Sequence, residues 1–173
     1  LCNFTKKSMN IILPGDKDYE PRPSVQRKSL RINLNENIYG TFVEIGAGQE
    51  VARNFYRVGA ASGTIAKSLS AYDKSFSDSI YGEEDNGRYV TQNRLDKMLN
   101  HEMNLLEKRI LRDKNPDKFF FVYANTVSIS IDWSSRWSVR YFINFKGHGW
   151  MGIKFQTDPN DEYSEIKLHL RFR

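Results

Sequence analysis

Cysteine is nearly missing from this chain: Cys2 is the only one in 173 residues. No internal disulfide framework can form, and a reducing, cytoplasmic compartment is the expectation. Long apolar runs are also missing, and nothing approaches the ~20 residues needed to span a bilayer. No membrane partner is therefore expected. The opening LCNFTKKSMNIILPG sets basic and apolar residues in the wrong order for a secretory signal. Histidine is sparse, and His101, His148 and His169 have no second His or Cys at ligand spacing, so no metal site is expected. Ser128, Ser130, Ser134, Ser135 and Ser138 lie outside any G-x-S-x-G context. Glu83, Glu84 and Asp85 are adjacent in a glycine-bearing stretch and read as a solvated loop.

Charge is only mildly unbalanced, with 26 basic and 21 acidic residues giving +5. The excess is local. Lys6, Lys7, Lys17, Arg22, Arg27, Lys28 and Arg31 face Asp16, Asp18 and Glu20, so residues 1–35 carry most of it. Pro14, Pro21 and Pro23 punctuate the same stretch, which reads as a basic, solvated N-terminal arm. Such a charge permits an acidic partner without requiring one, and nucleic acid is not the first expectation. A chain with 39% apolar and 13% aromatic residues can bury a real core, so residues 36–173 read as one domain. It opens on Leu1 and closes on a strand-like run, which suggests a piece of a longer protein; the alternative is a last strand that closes its own sheet.

Residues 38–45 read as a strand that breaks at Gly46-Ala47-Gly48. Beyond it, Val51, Phe55, Val58, Ser62, Ile65 and Leu69 recur at helical spacing, which predicts a helix over 50–72. Gly59 and Gly63 inside it would each cost about 1 kcal/mol against alanine. Close approach to the sheet is one explanation; a break into two helices near Gly59 is the other. A second helix is predicted from Thr91, its N-cap, with Leu95, Leu99, Leu106 and Ile110 on one face. The remainder is β-rich, with strands expected at 118–131, 137–145, 150–157 and 165–172. Ile166, Leu168, Leu170 and Phe172 share one face of the last. Helices early and strands late predict an α+β fold: two helices packed on a mostly antiparallel or mixed sheet.

The chemistry-bearing residues are few. A strand, a glycine turn and a helix start can cradle an anion, so Gly46, Gly48 and Gln49 are candidate ligand-binding residues for a phosphate-bearing small molecule such as a nucleotide. Arg53 is the side chain placed to add a bidentate contact, with Lys67 further on. A packing turn that binds nothing accounts for the same pattern. His148, in Lys146-Gly147-His148-Gly149-Trp150-Met151-Gly152, is the candidate general acid or base. A hairpin or bulge beside a packed tryptophan is its bland counterpart. The aromatic residues of 119–123 with Trp133 and Trp137 allow a second reading, an interaction module for a protein or nucleic acid. Self-association or a missing C-terminal segment would complete either. No cofactor is specified.

The run Glu44-Ile45-Gly46-Ala47-Gly48-Gln49-Glu50 is similar to the first motif of S-adenosylmethionine-dependent methyltransferases, but Glu50 stands where a third small residue is needed. Asp73 lies at the distance of a ribose-binding acid, after a helical pattern instead of a strand. Several blocks in order, FVEIGAGQEVAR, VGAASGTIAK, RYVTQNRLDKMLNHEM, FFFVYANTV and GHGWMGIKFQ, resemble the N-terminal region of a family of uncharacterised cytosolic bacterial proteins. Members carry conflicting labels, nicotinate-nucleotide adenylyltransferase or outer-membrane receptor. The first implies an H-x-G-H motif, which is absent, and the second a β-barrel, which nothing here suggests. Residues 128–144, with Trp133, Arg136, Trp137 and Arg140, depart from that resemblance by their length and aromatic content.

Overall fold

The computed structural model describes residues 23–131 and 145–172. Three consecutive strands alternate with helices before the chain turns to antiparallel pairing. The order is α1 (Val25–Asn33), β1 (Ile38–Gly46), α2 (Val51–Arg57), β2 (Ile65–Ala71), α3 (Lys74–Tyr81), α4 (Gln92–Arg109), β3 (Phe119–Ile131), β4 (Phe145–Phe155) and β5 (Ser164–Phe172). The sheet runs β2-β1-β3-β4-β5. β1 is parallel to both β2 and β3, and β4 and β5 add antiparallel. The α+β class and the mixed sheet are as the sequence indicates. No helix among the described residues is long and apolar enough to cross a membrane.

β1 is buried on both faces, as a central parallel strand must be. Tyr39, Val43 and Ile45 point to the side covered by α4, with Phe120, Val122 and Ala124 of β3 beside them. Ile38 and Phe42 point to the opposite side, with Phe121 and Tyr123 of β3 and Ala52, Val51 and Phe55 of α2. α4 supplies the larger core. Leu95, Met98, Leu99, Met103 and Leu106 are all buried on its sheet-facing stripe, each contributing about 1.5–3 kcal/mol by burial. Thr91 caps it, its hydroxyl accepting from the Arg94 N–H at 3.1 Å.

Several expectations are corrected. The single helix over 50–72 is α2 followed by β2. Gly59 and Ala60 take positive φ values of 79° and 57°, which end the helical path. From Ile65 onward partly buried and exposed residues alternate with a period of two, and the apparent helical spacing existed only because Ser62 bridged the gap. The break near Gly59 is real, but a strand follows it. α4, not the small-residue segment, makes the largest helix contact with the sheet, and the described residues hold four α-helices.

Two further segments are ordered where loops were expected. Residues 74–81 form α3, because the Asp73 carboxylate caps the Phe76 N–H at 2.8 Å. Glu84 in the following stretch is not solvated. Its side chain is 5% exposed and lies 3.0 Å from Lys97 and 3.6 Å from Arg94. Arg94, itself buried, donates to Asp78 at 2.8 Å, to Ser77 at 3.1 Å and to the Gly82 carbonyl. Residues 25–33, assigned to the arm, form α1 within the domain. Ser24 caps α1, and buried Asn33 donates to the carbonyls of Phe55 at 2.9 Å and Gly59 at 2.7 Å. The described domain therefore includes part of the stretch read as an arm. β4 begins at Phe145 rather than Trp150. Most of the strand expected at 137–145 and of the aromatic segment 128–144, and the rest of the arm, lie outside the described residues.

Asn33 thus holds the C-terminal end of α2, which completes only two turns. Asn33→Ala should lower stability by about 1–3 kcal/mol, because two carbonyls lose their donor. Urea unfolding followed by circular dichroism measures this, and a loss below about 0.5 kcal/mol, the size of an ordinary surface effect, would show that α1 does not brace α2.

Candidate functional site

β1 ends in the glycine turn, and parallel pairing sets that turn beside β3 in the register Gly46 with Val127. The two glycines are required by this approach. Gly46 has φ of 77°, and a Cβ there would lie 2.1 Å from the Val127 carbonyl oxygen. A Cβ on Gly48 would stand 2.7 Å from Val127 Cγ2 and 2.9 Å from Asn125 Oδ1. The close approach that the glycines permit is therefore to the protein's own third strand.

Glu44 explains what happens to the helix start. Its carboxylate is buried, 4% exposed, and accepts from the Val51 N–H at 2.8 Å and from the Ala52 N–H. The amide donors expected to hold a phosphate are thus already occupied by an internal carboxylate. Burial, with the charge of Glu50 as a smaller contribution, pushes the Glu44 pKa above the usual carboxylate range, while its amide bonds pull it down. Gln49 closes the turn: its amide nitrogen donates to the carbonyls of Glu44 at 2.8 Å and Gly46 at 2.9 Å. Its oxygen accepts from the Ser70 hydroxyl of β2 at 2.6 Å.

The structure brings Gly46, Gly48 and Gln49 into one turn, with Glu44 and Asn125 behind it. It leaves Arg53 outside. That side chain is 59% exposed and pairs with Glu50 at 3.5 Å. Lys67 faces the other side of the sheet, where it pairs with buried Glu102, which also accepts from Tyr81 at 2.8 Å. Asp73 follows a strand after all, although its carboxylate is engaged in capping α3.

His148 lies on the arm of a hairpin, without a bulge. It lies inside β4 opposite Ser128, one residue from the Val127–Gly149 pair. Val127 turns its side chain toward Gly48, so alternation sends His148 to the opposite, α4-facing side. There it is exposed, 6.1 Å from the His169 ring, which itself stacks on Trp150 at 4.6 Å. The sheet stands between His148 and the glycine turn.

A feature that sequence reasoning did not single out lies on the α2 side. Ile32 of α1, Val51 and Phe55 of α2, Phe42 of β1, Tyr123 of β3 and Ile153 of β4 line an apolar trough of about 280 Å³. Phe42 is its centre, with ring centroids 4.9 Å from Phe55 and 5.3 Å from Phe121. One end is polar. Asn125 Nδ2 donates to the Gly48 carbonyl at 2.8 Å and to the Tyr123 hydroxyl at 3.3 Å. Asn125 Oδ1 is buried and accepts no hydrogen bond among the described residues. Burial, helped by the nearby Glu44 charge, pushes the Tyr123 hydroxyl up to about 12. The aromatic spacing of β3 signalled a core strand. That one face would be left partly open could not be read from it.

The buried Glu44 carboxyl sets a pH dependence. A carboxyl whose folded pKa exceeds its unfolded value, ordinarily about 4.3, binds more protons in the native state. Its contribution to stability is therefore largest at low pH and falls as pH rises through both values. Glu44→Gln should remove that fall, so the difference in unfolding free energy between variant and parent moves in the variant's favour as pH rises from below 4 toward neutrality. Unfolding curves at a series of pH values test this; a difference independent of pH would show that the carboxyl titrates normally.

No family model matches the chain, and no curated protein matches it. Solved structures are similar in fold. The competence/damage inducible protein CihA from Agrobacterium tumefaciens has a TM-score of 0.50 at 12% identity, covering 88% of this chain and 83% of its own. The competence damage-inducible protein A from Klebsiella pneumoniae subsp. pneumoniae MGH 78578 has a TM-score of 0.51 at 8% identity, covering 86% of this chain and 81% of its own. At such identities the likeness is one of fold: this chain has the architecture of CinA-type competence/damage-inducible proteins.

Proposed function

We propose that the chain is a small-molecule-binding domain whose ligand lies in the Phe42 trough with its polar end at the Gly46–Gly48 turn. The observation that carries this reading is the junction of the two. An apolar, aromatic-lined cavity has Tyr123 in its wall, and the Tyr123 hydroxyl accepts from Asn125 Nδ2 at 3.3 Å, which also donates to the Gly48 carbonyl of the turn. The parallel connections run in opposite directions around β1, from β1 to β2 over one face and from β2 back to β3 over the other. In open α/β sheets ligands habitually lie outside the carboxyl ends of such strands, where the Gly46–Gly48 turn stands.

The groups at the polar end select the ligand. Behind Tyr123 they are acceptors, the Asn125 oxygen and the Glu44 carboxylate. A phosphate would meet negative charge there and find the α2 amides taken. A planar ring carrying hydroxyl or amino donors matches both ends, so a nucleoside suits the site better than its phosphorylated form. The cavity lies near the lower end of the ~300–1,000 Å³ typical of ligand pockets, which also favours the smaller molecule. Among the described residues no acid–base pair converges on the trough, so the reading is one of binding and assigns no chemical step. His148 stands outside it.

Thermal shift and calorimetry with adenosine, guanosine and their monophosphates provide the test. A nucleoside at a hundred times its Kd should add about 2.7 kcal/mol of stability, with the monophosphate binding more weakly. Ile153→Trp, which fills the trough from β4, should abolish binding in a folded protein, and His148→Ala should leave it unchanged. Gly48→Val is unsuitable because its side chain would collide with Val127. Binding that survives Ile153→Trp, or a chain stabilised by no nucleoside, would overturn the reading.

A further inference from the structure

β5 is the outermost strand, and no described element lies beyond it. Its pairing with β4 is continuous from Gly147–Phe172 to Phe155–Ser164, without a bulge. Its sequence has no proline, and its side chains separate by face. Ile166, Leu168 and Phe172 are 52%, 50% and 45% exposed on the α2 side. Glu165, Lys167, His169 and Arg171 occupy the other. A long, regular edge with half-exposed apolar residues is what natural sheets avoid leaving open. β2, the opposite edge, shows the contrast: it is shorter, and its exposed positions are Ala66, Ser68 and Ser70.

The charges on β5 say what could cover this edge. In an antiparallel pair with a two-fold axis at Leu168, Leu168 faces its own copy and Ile166 faces Leu170. Ser164 faces Phe172, Lys167 faces His169, and Glu165 faces Arg171. All nine residues of the strand find partners, Ile166, Leu168 and Leu170 meet one another, and the opposite charges of Glu165 and Arg171 meet twice by symmetry. Neighbouring registers fail. An axis at Lys167 sets that lysine against itself, and an axis at His169 sets Lys167 against Arg171. Arg171 has no ion pair among the described residues, whereas Glu165 already holds Lys154 at 3.1 Å and Lys167 at 2.7 Å.

We propose that β5 is a self-pairing edge: two copies of the chain join antiparallel about Leu168 and extend the five-stranded sheet to ten strands. The two apolar stripes then lie side by side on one face, and Arg171 gains its carboxylate across the junction. The partner is a second copy because this register joins the central apolar residues of the strand to one another and gives Arg171 a carboxylate at both ends of the pair.

Sedimentation velocity on the 173-residue chain over a range of concentrations tests the assembly, with circular dichroism confirming the fold of each variant. The parent should dimerise. Arg171→Glu, which turns two attractive pairs into repulsive ones, should weaken the dimer about tenfold or more, and adding Glu165→Arg should restore it. A second measurement does not depend on those charges: in a Cys2→Ser background, Leu168→Cys should crosslink to a dimer under mild oxidation, since that position meets itself. A chain that stays monomeric overturns the proposal. So does a dimer that ignores Arg171→Glu, or one that persists without crosslinking at position 168, because either outcome places the contact elsewhere.

Discussion

Everything in this fold is arranged around β1, a strand that must be covered on both faces and paired on both edges. Its alternation of Ile38, Gly40, Phe42 and Glu44 on one side with Tyr39, Thr41, Val43 and Ile45 on the other leaves no side for water. Parallel strands cannot be joined by short turns, so α2 carries the chain over one face to β2. α3 and α4 carry it back over the other to β3. The two cores differ accordingly. α4 lays a long stripe of leucine and methionine on its side, whereas two short helices cover only part of the other.

That asymmetry shapes the surface. On the α4 side the sheet is tied down as far as β5, where Lys167 reaches Asp96 at 2.7 Å. On the α2 side the cover ends before Ile153, and an apolar strip runs from the Phe42 trough toward Ile166 and Leu168. The proposed ligand site at one end of this strip and the proposed strand pairing at the other are two answers to one deficit of burial. They use different residues, and neither needs the other.

The turn after β1 shows how charge can be settled internally. A glycine-bearing turn before a helix ordinarily leaves amide donors free for an anion. Here Glu44, on the strand itself, folds its carboxylate into that position, and Gln49 and Asn125 fix the loop around it. What resembles a phosphate cradle in sequence is closed by its own acid. The cost is a buried negative charge with a raised pKa, and the consequence is a polar end better suited to donors than to anions.

Much of the architecture was legible. Thr91 and the leucine stripe announced α4, the β-branched and aromatic runs announced β1 and β3, and the alternation of Ile166, Leu168, Leu170 and Phe172 gave the faces of β5. These are local properties: a cap needs one hydroxyl, and an amphipathic period needs only its own residues. Asp73 failed as a signal because it was weighed only by its distance from the glycine turn and not as the cap of α3. The 50–72 segment failed because a helix and a strand in succession imitated one period.

The sequence alone determined that Gly46 and Gly48 would form a tight turn, that the chain would be α+β, and which residues of β5 would face together. Only the tertiary structure decided what those faces meet. Glu44 reaching the α2 amides depends on where the chain stands after the turn, and the separation of His148 from that turn depends on strand register. One residue of slip would exchange the two sides of the sheet. Contacts between residues distant in sequence, such as Gly48 with Asn125, are set by pairing across strands that no local pattern records.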